Sequence, residues 1–439
     1  MFARDPFELD RKLSNAARAW WRFRRELRTS DARDHVFETA SAVADVELLE
    51  ELAEDASPLS VPMRRWVYRL LEQRRHREAI TAVASAYRRE TEPVLAPLQA
   101  ELAPRELLLN ALSDDARRDA FLTALARHSA KLRDRRLALG ERRFELRERL
   151  ARRLEPLTLE PNPKLQGFAR DLLARTAGAL EALSVRDLAG ALEVSLATRA
   201  RATYPSHLSL RSLVDLLDAS RWFDSVPLDP GELPARLAPA SFARGLAQLG
   251  AALRRGAEST SSSPFVLASD AFALPEHTLG ALFERLPLSE EFARRRLEVA
   301  RSAFPDYQRA WAAAALLEAR TAAARLLTLP SSFQGSSAFA ESFQEELGRA
   351  LGFELDPRFA GVLFAPRLDE AQRFAARLEA ARLDRDLVVR HDEDWFRNPR
   401  AREELREQAR SPATLELGDG ALEAGVLEHE RSLTSALAR

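Results

Sequence analysis

Apolar residues recur at three- and four-residue spacing along almost all of this 439-residue chain, and that period restricts it to amphipathic helices. Ala, Leu, Arg and Glu, all good helix formers, dominate the sequence. No run of period two precedes about residue 355. Residues 352–366 leave room for one short strand or an irregular loop. The expected fold class is all-α: a large multi-helix molecule with at most a minor β element.

Proline divides the pattern, because each ring removes a helical hydrogen bond and disfavours helix in the residue before it. Breaks fall at Pro58 and Pro62, at Pro93, Pro97 and Pro104, at Pro156, Pro161 and Pro163, and at Pro227, Pro230 and Pro234. The third cluster is the strongest boundary. It predicts an N-terminal helical subdomain over 1–160, a second over 161–410, and a loosely patterned tail over 411–439. From Leu112 to Leu154 the chain reads as one long helix rich in Arg and Glu, a pattern typical of a solvated face laced with i,i+4 pairs. Ser259 to Ser263 form a short polar linker.

Hydrophobic residues make up 46% of the chain, enough for a sizeable core. Charged residues make up 30% but nearly cancel to a net −1, so no bulk basic footprint points to nucleic acid. The cations are nearly all Arg, with Lys only at Lys12, Lys131 and Lys164, a sign of high-GC, bacterial-type codon usage. There is no cysteine, which excludes disulfides, thiolate zinc sites, cysteine-ligated clusters and a cysteine nucleophile. No apolar h-region opens the chain and no apolar stretch reaches membrane-spanning length, so the expected location is cytoplasmic, with no membrane partner.

The most informative segment is Ala247-Gln248-Leu249-Gly250-Ala251-Ala252-Leu253-Arg254. In helical zincins the same frame reads His-Glu-Leu-Gly-His-Ala-Leu-His. Two imidazoles one turn apart bind zinc there, and the Glu is general base to the bound water. Leu249, Gly250, Ala252 and Leu253 match that frame. Ala247 and Ala251 replace the ligands, and Gln248 replaces the base. Farther on, Leu274-Pro275-Glu276-His277-Thr278-Leu279-Gly280-Ala281-Leu282-Phe283-Glu284 stands where a second helix would carry a third, Glu ligand.

Together with Ala310 to Leu327 and Asp392 to Ala401, these segments resemble the helical peptidases of the thimet oligopeptidase and oligoendopeptidase type over about residues 165–405. The resemblance implies an oligopeptidase-like helical fold with a central cleft that takes short peptides. It also implies a degenerate member, a pseudo-peptidase without its His-Glu-x-x-His motif. Glu276 alone would not hold zinc, and Gln248 has no basic lone pair with which to deprotonate water. No metal and no cofactor are expected.

Several residues carry two readings. Glu276 and His277 are remnant cleft residues or an ordinary helix start. Asp270 and Tyr307 are further cleft candidates, as are Tyr204 and His207. His391-Asp392-Glu393-Asp394 reads as an acidic metal cluster or, better, as carboxylates favouring the start of the next helix. Glu276 and Glu284 read as paired carboxylates or as ion-pair partners of neighbouring Arg285 and Arg244. Trp20-Trp21-Arg22-Phe23-Arg24-Arg25 reads as a stacking or membrane-surface motif or, better at this net charge, as a helix burying its aromatics.

Three functions remain open. The first is a non-catalytic pseudo-peptidase that binds a peptide or protein partner, including a paired active homologue, in a homo- or hetero-oligomer. The second is a repurposed metal-independent enzyme acting on a peptide or small molecule. The third is a helical scaffold unrelated to peptidases. Packing of segment 241–255 beside 272–286 separates the first two from the third.

Overall fold

The computed structural model describes residues 5–26, 40–91, 94, 115–154, 163–197, 209, 213, 237, 239–260, 263–334, 336–411 and 417–438. Among these are eighteen α-helices and no β-strand. The first five are α1 (Pro6–Glu26), α2 (Val46–Ala53), α3 (Ser60–Arg75), α4 (Arg77–Glu90) and α5 (Asp115–Leu154). Beyond Pro163 come α6 (Pro163–Arg175), α7 (Ala177–Ala182), α8 (Leu188–Ser195), α9 (Pro239–Thr260), α10 (Phe265–Ala268), α11 (Leu274–Glu284) and α12 (Glu290–Arg296). The last six are α13 (Phe304–Thr328), α14 (Ser336–Leu351), α15 (Ala360–Leu363), α16 (Glu370–His391), α17 (Pro399–Arg410) and α18 (Asp419–Ala438). No described helix is long and apolar enough to cross a membrane.

Helix starts follow local chemistry. Asp187 accepts from the Gly190 amide at 2.8 Å, and Ser289 accepts from Phe292 at 3.3 Å, each satisfying an amide without a helical partner. Pro163, Pro275, Pro305 and Pro399 sit in first turns, where a missing N–H costs nothing. The long charged pattern becomes α5, whose 40 residues span about 60 Å.

α13 organises the interior. It is apolar around most of its circumference, with Ala312, Leu316, Ala323 and Leu326 wholly buried, as befits a helix enclosed by others. Its buried Arg320 ties three helices together. The guanidinium donates to the carbonyls of Leu173 (2.7 Å), Arg349 (2.8 Å) and Ala350 (2.9 Å), and to the Thr176 hydroxyl (2.6 Å). Those carbonyls end α6 and α14, so the cation meets the negative ends of two helix dipoles. Burial still pulls Arg320 down, to about 10.

The proline boundary near 160 separates α5 from α6 in sequence, but hydrophobic clusters cross it. One cluster joins Leu13, Leu49 and Trp66 to Phe272 and Leu368. Another joins Leu125 of α5 to Leu172, Leu326 and Phe374. Residues 352–366 form a 3₁₀ turn (Pro357–Phe359) and the short α15 in place of a strand. Residues 419–438, read as part of a loose tail, form α18 and bury Leu422, Val426 and Leu433.

Candidate functional site

The frame Ala247–Arg254 lies in the middle of α9, and Glu276 and His277 lie in the first turn of α11. The two helices pack side by side and cross at a pair of glycines. A Cβ on Gly250 would overlap the Leu279 carbonyl, and one on Gly280 would stand 3.0 Å from the Ala247 carbonyl. Ala247, Gln248 and Ala251 are half-buried along this crossing. Two methyl groups offer no lone pair to a metal. The Gln248 side-chain oxygen is buried without a hydrogen-bond partner. Arg254, at the end of the frame, is buried and donates to the carbonyls of Ala268, Ala409 and Ser411.

The other candidates are not drawn into one constellation. Glu276 is buried. His277 Nε2 lies 3.3 Å from Asp369 Oδ2. Burial pushes the Asp369 carboxyl up, but Arg373 and His277 outweigh it and hold the group well below the ordinary range. Asp270 is enclosed: Arg65 Nε and Nη2 donate to its Oδ1 at 3.0 and 2.8 Å, and the Leu274 amide donates to Oδ2 at 3.3 Å. Tyr307 is buried in a core cluster beside Phe304 and Trp311, its hydroxyl pushed well above 10 by burial against a smaller opposing pull from Trp311. Among the described residues, no three His, Asp or Glu side chains could together hold a metal ion.

Two readings are corrected in detail. The carboxylates at 392–394 do not cap α17; Asn398 does, accepting from the Arg400 amide at 2.9 Å, and Asp394 makes no side-chain cap of its own. His391 lies 2.7 Å from Glu404 of α17. Glu284 pairs with neither Arg285 nor Arg244. Its partner is Arg377 on α16, at 3.3 Å, whose other arm reaches Glu318 of α13 at 2.6 Å. Tyr204 and His207 lie outside the described residues, as do the side chains of Trp20 to Arg25.

A cavity of about 900 Å³ opens among the described helices. α4 and α5 wall one side of it. The end of α11, α13, α16 and His429 of α18 wall the other, and α8, the start of α9 and residues 362–367 complete it. None of Ala247, Gln248, Ala251, Asp270, Glu276, His277 or Tyr307 lines this space. Much of the wall is aliphatic, from Leu139, Leu192, Leu351 and Val362 among others.

The polar wall is strongly cationic, with eight arginines against three glutamates among its described residues. Some of these cations are neutralised. Arg143 pairs with Glu72, Arg285 with Asp384, and Arg377 with Glu284 and Glu318. Arg377 holds the Glu318 carboxyl down, while burial pushes Glu284 up. Nearly half of the Glu318 side-chain surface (49%) is accessible although the group lies deep in the protein, the signature of a side chain facing an internal space.

Sequence reasoning missed this wall. A signal was available: Arg325 interrupts the run Ala322-Ala323-Ala324-Arg325-Leu326-Leu327, where a cation has no surface role. The other lining residues come from segments hundreds of positions apart. No family model matches the chain, no curated protein matches it, and no solved structure matches it.

Proposed function

We propose that this chain is a non-catalytic, oligopeptidase-like binding protein that takes a peptide-sized ligand in this cavity, away from the Ala247–Ala251 face where the resemblance would put a peptidase cleft. The observation that carries the reading is the 900 Å³ cavity, near the top of the range of about 300–1,000 Å³ typical of ligand pockets. The Gly250–Gly280 crossing supports the ancestry, because the resemblance requires those two helices to be neighbours. Alanine at both ligand positions supports the loss of zinc chemistry. The metal-independent enzyme reading loses ground, since Asp270 is committed to Arg65 and neither Glu276 nor His277 faces the cavity.

Metal analysis, peptide cleavage and peptide titration test this reading together. The expected result is no stoichiometric zinc, no cleavage, and saturable binding at one peptide per chain. Thr321→Trp, which places a bulky ring into the cavity from α13, should abolish that binding while the helical signal persists. Stoichiometric zinc accompanied by cleavage would overturn the proposal, as would binding unaffected by Thr321→Trp.

A further inference from the structure

Arg136, Arg325 and Arg367 meet on the cavity wall, and none has a carboxylate within ion-pair distance among the described residues. Arg136 donates to the Phe364 carbonyl at 2.8 Å and lies over the Tyr87 ring, 5.1 Å from its centre. Arg325 donates only to the Leu363 carbonyl, at 3.1 Å. Arg367 makes no side-chain hydrogen bond or ion pair among the described residues, although protein encloses it. Its side chain is nonetheless accessible, so it points into the cavity. The carboxylate acting most strongly on Arg367 is Glu370, itself buried and without an ion-pair partner among the described residues.

Three neighbouring cations in a recess repel one another, and taking them out of water is unfavourable unless counter-charge is supplied. The carboxylates within electrostatic reach are Glu370, which has no ion-pair partner among the described residues, Glu318, which already pairs with Arg377, and Asp369, which already pairs with Arg373 and His277. Burial pulls Arg136 down to about 10 and also lowers Arg367, while it raises Glu370 against the pull of Arg325 and Arg367. Burial thus disfavours the charged forms of Arg136, Arg367 and Glu370, and the two arginines have no carboxylate in contact among the described residues. Guanidinium forks suit oxyanions, which they can engage with paired hydrogen bonds. Leu139, Val362 and Leu363 adjoin the same cluster and offer a surface to hydrocarbon.

We propose that the cavity takes a ligand with an apolar body ending in an oxyanion, a carboxylate or a phosphate, which pairs with Arg325 and Arg367. This inference rests on the reading of the cavity as a binding cleft. An oxyanion head on an apolar body belongs both to the free C-terminus of an apolar peptide and to an alkyl carboxylate or phosphate ester.

Calorimetric titration with matched probes tests the inference and separates these sources. A leucine-rich hexapeptide is compared as free acid and as C-terminal amide, and dodecyl phosphate is compared with dodecanol. At least one acid should bind about tenfold or more tighter than its neutral twin, the scale of one charge-assisted hydrogen bond. Arg367→Gln, at an unpaired side chain, should fold normally and remove most of that preference, with Arg325→Gln acting alike. Glu370→Gln should shift affinity the other way and tighten the acid. Neutral probes that bind as tightly as the acids would overturn the oxyanion inference and leave the cleft reading standing. Absence of binding by every probe would overturn both.

Discussion

Gly250 of α9 lies directly against the Leu279 carbonyl of α11, leaving no room for a Cβ between the two helices. Gly250→Ala forces the backbones apart at this crossing. It should destabilise the protein by about 3 kcal/mol or more, at the upper end of overpacking effects. Gly280→Ala meets only the Ala247 carbonyl, at 3.0 Å, and should cost about 1 kcal/mol. Gly167, inside α6, has nothing within 4 Å of a new Cβ. Gly167→Ala should therefore stabilise by about 0.5–1 kcal/mol through helix propensity. Urea unfolding of the three variants checks the ranking, and equal midpoints for Gly250→Ala and Gly167→Ala would refute the crossing.

Asp270 stood among the cleft candidates, but its pairing with Arg65 makes it a structural residue. Both side chains are almost wholly buried, at 2% and 0% exposure. Removing one partner leaves an uncompensated buried charge, so Asp270→Ala should lose about 3–5 kcal/mol. Removing both by Arg65→Met with Asp270→Leu should recover most of that loss. Denaturation of the single and double variants distinguishes the two roles, because a residue kept for chemistry or ligand contact would show little stability change.

How far the sequence discloses this molecule depends on whether the signal is local. The 40-residue α5 and the α9–α11 pair were legible because helical period and small-residue spacing lie within one stretch of chain. α18 was not. Gly420 and Gly425 loosen its pattern, yet Gly425 is a packing residue: a Cβ there would overlap the Leu378 carbonyl. Asp270 and Tyr307 are cleft candidates in the sequence, but burial places both in the interior, Asp270 paired with Arg65 and Tyr307 in a hydrophobic cluster. Arg136, Arg325 and Arg367 stand 189 and 42 residues apart in sequence order, so only tertiary packing reveals that they share a wall.

Arg320 makes four hydrogen bonds, to three carbonyls at two helix ends and to the Thr176 hydroxyl, and this predicts that lysine cannot replace it. A single ammonium reaches at most part of a four-acceptor set arranged around a planar fork. Arg320→Lys should cost about 3 kcal/mol, because buried carbonyls at the ends of α6 and α14 lose their partners. Hydrogen exchange should locate the damage at residues 172–176 and 348–351. A variant with wild-type melting and exchange would contradict the clamp.

His429 gives the stability a pH dependence above the carboxylate range. Its Nε2–H donates to the Arg377 carbonyl at 2.9 Å, and Nδ1 is buried with no acceptor for a second proton, so the native ring is neutral. Burial, reinforced by Arg285 and Arg377, pushes the group down to about 3. In the unfolded chain it titrates near the ordinary histidine value of about 6.5. Between those values the unfolded state binds the extra proton, so stability is fully present above about pH 6.5 and falls as the pH drops toward 3. The slope from this one group is at most about 1.4 kcal/mol per pH unit, or about 2 kcal/mol between pH 6.5 and 5. His429→Gln can keep the donor to the carbonyl but cannot titrate. Urea unfolding of both proteins at pH 7 and pH 5 isolates the effect, since every other titrating group is common to the two. Wild type should lose about 2 kcal/mol more than the variant over that interval. Equal losses would mean that the ring is protonated in the folded protein and that its surroundings are not as closed as the geometry requires.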